Sequence, residues 1–282
     1  MPTSRMNKTV SIVVFSKDRA CQLEACLRSL FSSMRTSINC VVSVLYRASD
    51  PLYAGQYEAL KTEVPQVKFV EEGNFESDFR DLLQGSEYAL FVVDDCLFPS
   101  VWSLDECCSA LQDHPEAVGF SLRLGKNITY CYPMQCSQQQ PVFESLSEHV
   151  LQFDWTTSEY DFAYPLELSS SLYRTSDMKA CLKDVSFGRP NELEREMYRR
   201  IGMFRDSHPK LLCFDQSVAF ACPVNITQEV KTNCHGLAHP FDAEELAREY
   251  DRGLRIDLEP LKGFVPVSCH QEIPIRLVEL TG

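Results

Sequence analysis

Glycine is scarce in this chain of 282 residues, with only 11 in total, and the motifs that depend on glycine are missing. No G-x-G-x-x-G follows the first predicted strand, and neither G-x-x-x-x-G-K-[ST] nor G-x-S-x-G occurs. These absences argue against a dinucleotide-binding Rossmann fold, a P-loop and an α/β-hydrolase elbow. If the chain binds a pyrophosphate, a divalent metal held by carboxylates is the usual substitute for a glycine cradle.

Basic residues and long apolar runs are also in short supply. The chain has 27 basic against 40 acidic residues and a net charge of -13, which argues against a nucleic-acid-binding face but not against one small phosphorylated ligand. No apolar run approaches 18 residues, so we predict no membrane span, while peripheral membrane association stays open. Without a secretory signal, we expect a cytoplasmic protein whose 13 cysteines are reduced.

The first half alternates between apolar, β-branched runs and segments of helical period. Buried strands are predicted at residues 10–15, 40–46, 67–70, 88–93 and 118–122, and helices lie between them. Such alternation predicts an α/β fold with a mostly parallel sheet flanked by helices. Ligands of these sheets bind beyond the carboxyl ends of the strands.

The second half is less regular and predicts an α+β arrangement. A hairpin strand is expected at residues 127–132, a loop at 136–141, and further strands at 172–174, 211–214 and 218–224. Helices are expected at 176–183, 191–203 and 242–250, with Asn191 and Asp242 as caps. We therefore divide one fused domain into residues 1–125, a ligand-binding half, and residues 126–282.

Asp94 and Asp95 end the fourth predicted strand, F-V-V-D-D. Two acids at the end of a buried strand are costly unless they bind a cation or accept strong hydrogen bonds. The pair alone fits either a ligand site or carboxylates that cap nearby backbone N–H groups.

Three segments together carry a family resemblance: V-S-I-V-V-F-S-K-D-R at 10–19, S-V-L-Y-R-A-S-D at 43–50, and F-V-V-D-D at 91–95. They resemble GT-A-fold glycosyltransferases of the family 2 type, in particular a bacterial branch. The likeness extends more weakly into residues 120–125, F-S-L-R-L-G, and 153–166.

The resemblance implies a nucleotide-sugar donor site around Asp94. Asp94 would bind the ribose, and Asp95, in the middle of an Asp-x-Asp-like motif, would hold Mn²⁺ or Mg²⁺. Cys96 stands where the family has a third acid, and a hard cation prefers oxygen to a thiol. Some GT-A enzymes add a late histidine to the metal, for which His235 is the candidate, although Gly236 and Pro240 favour an ordinary loop there. The other residues assigned to the nucleotide are Ser16, Lys17, Asp18, Arg19, Tyr46, Arg47 and Arg80.

An inverting transferase needs a general base for the acceptor hydroxyl. In the family that acid begins a helix of the second half, which makes Glu194 the first candidate and Asp161 the second. Each has a structural alternative: Glu194 as a capping or surface residue, and Asp161 as a loop carboxylate. Trp155 and Tyr164 fit either a sugar platform or aromatic packing.

The resulting hypothesis is an inverting, metal-assisted hexosyltransferase-like enzyme of polysaccharide biosynthesis. It would move a sugar from a nucleoside-diphosphate sugar to a hydroxyl of a glycan or lipid-linked glycan. A sugar-nucleotide nucleotidyltransferase is the alternative enzyme, but it normally carries a glycine-rich loop, which residues 16–19 lack. A non-catalytic nucleotide-sugar-binding or scaffold protein is the alternative class, and Cys96 is its best support. The sugar, base and acceptor are not readable from the sequence.

Overall fold

The computed structural model describes residues 9–225 and 242–279, and its centre is a mixed sheet of nine strands. Because the apolar runs of the first half are continuous, their strands are buried on both faces; Ile12, Val13 and Val14 have no exposed surface. In chain order the strands are β1 (Thr9–Lys17), β2 (Asn39–Arg47), β3 (Lys68–Glu71), β4 (Tyr88–Val93), β5 (Ala117–Ser121), β6 (Glu144–Ser145), β7 (Val150–Asp154), β8 (Ser171–Arg174) and β9 (Lys210–Phe214).

The spatial order of the strands is β6-β7-β9-β5-β8-β4-β1-β2-β3. Strands β3, β2, β1 and β4 are parallel, which confirms the α/β sheet predicted for the first half. Strand β9 is parallel to β5, whereas β6 and β7 add an antiparallel edge. The carboxyl ends of β1, β2 and β4 thus meet at one edge of the sheet.

Strand β8, from the second half, lies antiparallel between β4 and β5 in the middle of the sheet. Its first residue, Ser171, pairs with Phe91 near the end of β4. The residues just before β8 therefore lie at the same edge as Asp94 and Asp95. Because a second-half strand fills the centre of the sheet, both halves share one sheet; the division at residue 125 remains a prediction.

Helices cover both faces of this sheet, and two large clusters of buried side chains lie beneath them. Asp50 caps α2 by accepting from the N–H groups of Leu52 and Tyr53, and Asp242 caps α7 as predicted. Asn191 does not cap α6, because Pro190 is the first helical residue and Arg189 takes the cap position. The helices are α1 (Ala20–Ser33), α2 (Pro51–Glu63), α3 (Phe75–Leu82), α4 (Leu104–Asp113), α5 (Thr175–Cys181), α6 (Pro190–Arg199) and α7 (Ala243–Asp251).

Four two-stranded ribbons complete the fold: Met34–Arg35 with Trp102–Ser103, Cys96–Leu97 with Phe220–Ala221, Tyr130–Cys131 with Cys136–Ser137, and Leu254–Ile256 with Leu277–Glu279. The strands predicted at 127–132 and 218–224 are each only two residues long, and the loop predicted at 136–141 begins with a strand. Within residues 9–225 and 242–279, no helix combines the length and apolarity that crossing a bilayer requires.

Gly119 lets β8 pack closely against β5, which gives a stability prediction. A Cβ at this position would lie 2.9 Å from ring carbons of Tyr173 and 3.0 Å from the carbonyl oxygen of Leu172. We expect Gly119→Ala to lower the free energy of unfolding by about 1–3 kcal/mol, measured by urea denaturation. Gly55→Ala in α2, with nothing within 4 Å, is the control and should be neutral or stabilising by about 0.4–1 kcal/mol. Equal stability of the two variants would contradict this packing argument.

Candidate active site

Asp94 and Asp95 follow β4 directly and are held at the edge of the sheet by the backbone. The N–H of Asp94 donates to the carbonyl oxygen of Phe15 at 3.1 Å, which extends the β1–β4 pairing past the end of the strand. The carboxylate of Asp94 is buried, with 4% of its side chain exposed, whereas the side chain of Asp95 is 15% exposed. Asp95 is thus the acid that faces the open side of the edge.

Arg19 joins the two acids. Its Nη1 lies 3.3 Å from Oδ1 of Asp94 and 3.0 Å from Oδ2 of Asp95. The hydroxyl of Ser16 donates to the other oxygen of Asp94 at 2.9 Å, and the N–H of Lys17 donates to that oxygen at 3.4 Å. The turn after β1 and the end of β4 therefore form one charged cluster, which we call the Arg19 cluster.

The charges within this cluster shift the pKa values of its members. Burial raises the pKa of Asp94 to about 6, against the opposing effect of the Arg19 charge. Burial acts to lower the pKa of Arg19, but Asp94 and Asp95 outweigh it and leave that pKa above its ordinary value. Arg19 therefore stays charged, and Asp94 is ionised at neutral pH.

Asp18 fixes the turn after β1. It adopts a left-handed backbone conformation, with φ of 56°, and its N–H donates to the carbonyl oxygen of Arg47 at 3.2 Å. Its carboxylate accepts from the N–H of Ser49 at 2.7 Å. These bonds bring the carboxyl ends of β1 and β2 together, as expected for neighbouring parallel strands.

Tyr57, on α2, was not predicted and supports the same turn. Its hydroxyl lies 2.7 Å from the hydroxyl of Ser16 and accepts from the N–H of Arg19 at 3.3 Å. The ring of Tyr46 packs behind it at 4.4 Å between centroids and is buried. Tyr46 thus packs behind the turn after β1. Arg47 is instead exposed and pairs with Glu72 at 3.5 Å.

Arg80 is not brought into the Arg19 cluster. Its guanidinium donates to the carbonyl oxygens of Leu182 and Val185 at 2.9 and 2.8 Å, and it lies over the ring of Phe187. This placement ties α3 to the chain after α5. It does not support the nucleotide role predicted for Arg80.

Cys96 does not take over the role of the third acid. Its side chain is fully buried, and its thiol donates to the carbonyl oxygen of Ser169. Burial holds the pKa of this thiol far above its ordinary value. Cys96 is therefore a packing residue that joins the end of β4 to the segment before β8, and no cluster of three or more candidate metal ligands occurs in the part of the chain that the structure describes.

A second charged cluster centres on Arg123, which is itself buried. Nη1 of Arg123 lies 3.6 Å from Oδ1 of Asp161, and its Nε lies 3.6 Å from Oε1 of Glu167. Glu194 feels the charges of both Arg123 and Glu167, and its carboxylate accepts from the N–H of Leu168. The two candidate bases, Asp161 and Glu194, thus belong to one group, which we call the Arg123 cluster.

Glu194 is the member of the Arg123 cluster that is suited to proton transfer near neutral pH. Burial and then the charge of Glu167 raise its pKa to about 7, against the effect of Arg123. Asp161 is instead held in place by Gln138, whose Nε2 donates to it at 3.0 Å. A base works best when its pKa is close to the working pH, which favours Glu194.

The two aromatic residues proposed as a sugar platform differ in position. Trp155 is buried, and its Nε1–H donates to the carbonyl oxygen of His208 at 2.7 Å, so it is a core residue. Tyr164 is partly exposed and stacks on Tyr198 at 5.1 Å between centroids, next to Glu194. Packing is thus the role of Trp155, whereas Tyr164 lies where a substrate could reach it.

His270 feels the charges of both clusters, although it was not predicted. It pairs with Ala221, which in turn pairs with Cys96 beside Asp95. Burial and the Arg123 charge lower the pKa of His270, against Asp161 and Asp95. Its Nδ1 is buried and has no hydrogen-bond partner among the described residues. The histidine predicted as a metal ligand, His235, lies outside the described residues.

The comparisons with known proteins agree with this geometry. The chain is similar to the bifunctional glycosyltransferase pgtA of Dictyostelium discoideum, with 29% identity over 255 residues. That match covers 79% of this chain and 33% of the relative, so the chain spans about a third of that protein's length. No protein-family model matches the chain.

The structural likeness is to TarS of S. aureus. Residues 1–349 of TarS in complex with UDP give a TM-score of 0.51 at 13% identity, covering 76% of this chain and 60% of that one. A longer TarS structure gives 0.50 at 17% identity, covering 76% and 36%. The chain has the GT-A glycosyltransferase fold. The GT-A fold that the resemblance implied is thereby confirmed, and it explains why Asp94 and Asp95 lie at the carboxyl edge of the sheet.

Proposed function

We propose that this chain is a glycosyltransferase that moves a sugar from a nucleoside-diphosphate sugar to a hydroxyl of a glycan or lipid-linked glycan, with inversion. The observation that carries the proposal is the meeting of two clusters at one sheet edge. The Arg19 cluster offers paired acids and a fixed cation, and the Arg123 cluster offers Glu194 with a pKa of about 7. The relationship to a curated glycosyltransferase supports the same conclusion.

In this proposal the first half holds the donor. The base and ribose lie over the turn of Ser16 to Arg19 and the ends of β1 and β2, with Asp94 directed at the ribose. The positive charge of Arg19 lies beside the position where negative charge develops on the leaving diphosphate. Tyr57 keeps this turn fixed in the absence of a ligand.

The reaction forms a bond between the acceptor oxygen and the anomeric carbon while the bond from that carbon to the diphosphate oxygen breaks. Glu194 takes the proton of the acceptor hydroxyl, and the bond electrons leave with the nucleoside diphosphate. Asp161 and Glu167 keep Arg123 in place beside Glu194. Residues 1–125 thus serve the donor, and residues 126–282 serve the acceptor.

In this proposal Asp95 and His270 would hold a divalent cation. His270 has a buried, unpartnered Nδ1 and lies within the electrostatic influence of Asp95. A ligand set of carboxylate and imidazole favours Mn²⁺ over Mg²⁺. When bound, the ion would neutralise charge on the diphosphate. This proposal adds His270 to Asp95 and His235, the two metal ligands predicted from the sequence.

The cytoplasmic location expected from the sequence is part of the same proposal. None of the twelve cysteines within the described ranges forms a disulfide, and ten of them are buried. A reducing compartment suits such a chain, because buried thiols there remain unmodified. The acceptor can be a soluble glycan or one presented at a membrane surface.

A thermal-shift screen against UDP, GDP, CDP and dTDP sugars, with and without Mn²⁺, tests donor binding. A ligand at about 100 times its Kd adds about 2.7 kcal/mol of stability, which corresponds to a Tm increase of roughly 5 °C or more at this chain length. We expect one nucleotide sugar to reach this shift and the matching free nucleoside to give none. The absence of any shift would overturn the donor site.

A non-catalytic nucleotide-sugar-binding protein is the second candidate, and Cys96 favours it because it replaces an acid of the motif. The two candidates differ because the enzyme turns over the bound donor, whereas the non-catalytic protein only binds it. Release of nucleoside diphosphate from the bound donor, over hours and without acceptor, supports the enzyme. Donor binding with no such release and no transfer to any glycoside supports the second candidate.

A further inference from the structure

An open surface pocket of about 390 Å³ lies in the second half, outside the Arg19 cluster. It lies between the Tyr130–Ser137 hairpin and the segment after Pro266. Its wall carries two aromatic rings, an imidazole, an amide and a carboxylate, and we call it the tyrosine pocket. The lining residues used below are Tyr130, Tyr132, Ser268, His270, Gln271 and Glu272.

The tyrosine pocket is held in shape by hydrogen bonds between its two walls. The N–H groups of Thr129 and Tyr130 donate to the carbonyl oxygen of Val267 at 2.9 and 3.1 Å. The N–H of Tyr132 donates to the hydroxyl of Ser268 at 3.3 Å, and the hydroxyl of Tyr132 donates to the carboxylate of Glu272. The backbone of both tyrosines and the hydroxyl of Tyr132 are therefore held before any ligand binds, which reduces the entropic cost of binding.

One side of the tyrosine pocket is joined to the Arg123 cluster. Gln138 donates through Nε2 to the carbonyl oxygen of Tyr130 at 3.0 Å and to Oδ2 of Asp161 at 3.0 Å. The N–H of Asp161 donates back to Oε1 of Gln138 at 3.1 Å. A single buried side chain thus links the wall of the pocket to the carboxylate cluster that contains Glu194.

The other side of the tyrosine pocket is connected through Ala221 to the chain just after Asp95. Ala221 pairs with Cys96 in a two-stranded ribbon and with His270 through a single bridge on its other side. Adjacent strands lie about 4.8 Å apart, so the backbone of His270 lies roughly 10 Å from that of Cys96. In the proposed function the donor diphosphate lies near Asp95, and the tyrosine pocket, which includes His270, lies on the side of the second half.

We propose that the tyrosine pocket is the acceptor subsite and that it binds a pyranose ring of the acceptor glycan; this rests on the proposed glycosyltransferase function. A pyranose has an apolar C–H face and a rim of hydroxyl groups. Tyrosine rings offer amphipathic contact surface, and the carboxylate of Glu272, the amide of Gln271 and the imidazole of His270 offer hydrogen-bonding groups. The volume lies in the range of small-ligand pockets.

Saturation-transfer NMR on the full chain, with a panel of methyl α- and β-glycosides of common hexoses and N-acetylhexosamines as probes, tests this subsite without needing turnover. We expect at least one glycoside to bind to the wild type. The same glycoside should bind about tenfold more weakly to the Tyr132→Ala variant. Met134→Ala is the matched control, since Met134 is 61% exposed on the same hairpin and does not line the pocket. Glu272→Gln is the second variant. It removes the charge of Glu272, keeps the size of that side chain and leaves Tyr132 unchanged.

The outcomes separate this subsite from the donor site. The proposal is supported if glycoside binding weakens in Tyr132→Ala or Glu272→Gln, stays in Met134→Ala, and the thermal shift with the donor stays in all three. It is overturned if no glycoside binds, or if binding is unaffected by both pocket variants. Displacement of the glycoside by the nucleotide sugar also overturns it, because the pocket would then hold the donor sugar. A missing donor shift in the wild type counts against the proposed function and not against the pocket.

Discussion

Glu194→Gln is expected to lower kcat by about 10²–10⁴-fold while leaving the thermal shift with the nucleotide sugar unchanged. Glutamine keeps the shape of the side chain and can still accept from the N–H of Leu168. It cannot take a proton from the acceptor hydroxyl. A loss in kcat without a loss of donor binding is the mark of a group that acts in the chemical step.

The pH profile of the same variant tests the role of Glu194 more sharply. The base must be ionised, so the wild-type rate should fall about tenfold per pH unit below about 7 and level off above it. Arg123, Glu167 and Asp161 are the charged groups of its cluster, and Tyr164 lies next to it. The loss of rate that begins near pH 7 (the acidic limb) should be missing in Glu194→Gln, whereas the loss of donor binding caused by protonation of Asp94, whose pKa is about 6, should remain. Steady-state transfer rates between pH 5.5 and 8.5 would measure both profiles, with about 0.5-unit steps being sufficient.

Glu196→Gln is the matched control for Glu194, because it lies on the same helix and pairs instead with Arg199 at 2.7 Å. It should keep both the rate and the acidic limb. If Asp161→Asn removes the limb and Glu194→Gln does not, Asp161 is the base. If neither variant changes the profile, the Arg123 cluster is structural.

Asp95→Asn is expected to lower donor turnover by at least about 10²-fold, and Asp94→Asn to remove the thermal shift with the nucleotide sugar. Both changes keep the shape of the side chain and remove one of the two charges that hold Arg19. Arg19 keeps one partner in each variant, so the fold should survive. Nucleoside diphosphate release and the Tm increase with the donor measure the two effects separately.

Asp206→Asn is the control for these two variants, since Asp206 is an exposed acid that belongs to neither cluster. It should behave as wild type in both measurements. Unchanged donor release in Asp94→Asn and Asp95→Asn together would refute the assignment of the acid pair. A lowered Tm in the absence of nucleotide would show that the pair is mainly structural.

The parallel part of the sheet could be predicted because its strands are continuous β-branched runs. Residues 88–93 match β4 at both ends, and 10–15 lies within β1. The centre of the sheet could not be predicted in the same way. Strand β8 has only four residues, and nothing in them shows that they pair with both β4 and β5. Such pairing is set by contacts between residues far apart in the chain.

The candidate site likewise has residues that could be predicted from the sequence and residues that could not. Ser16, Arg19, Asp94 and Asp95 meet because the ends of parallel strands share an edge, and a sequence reveals strand ends. His270 and Arg123 carry no periodic pattern of their own, and each depends on partners more than 35 positions away. The comparison of Arg80 with Arg19 makes the same point. Both are arginines near the sheet, but only the contacts made in the fold decide which one faces the acids.

The placement of β8 also has a consequence for synthesis of the chain. Strands β1 to β4 leave the ribosome first, and β8 emerges about 80 residues after β4 ends. At a synthesis rate of about 5–20 residues per second, the edge of β4 that pairs with β8 stays unpaired for several seconds. That edge is an apolar strand with unpaired backbone groups, the kind that promotes aggregation. Chaperone dependence during expression should therefore be greatest for nascent chains that stop before residue 174, and should fall once Ser171–Arg174 has been made.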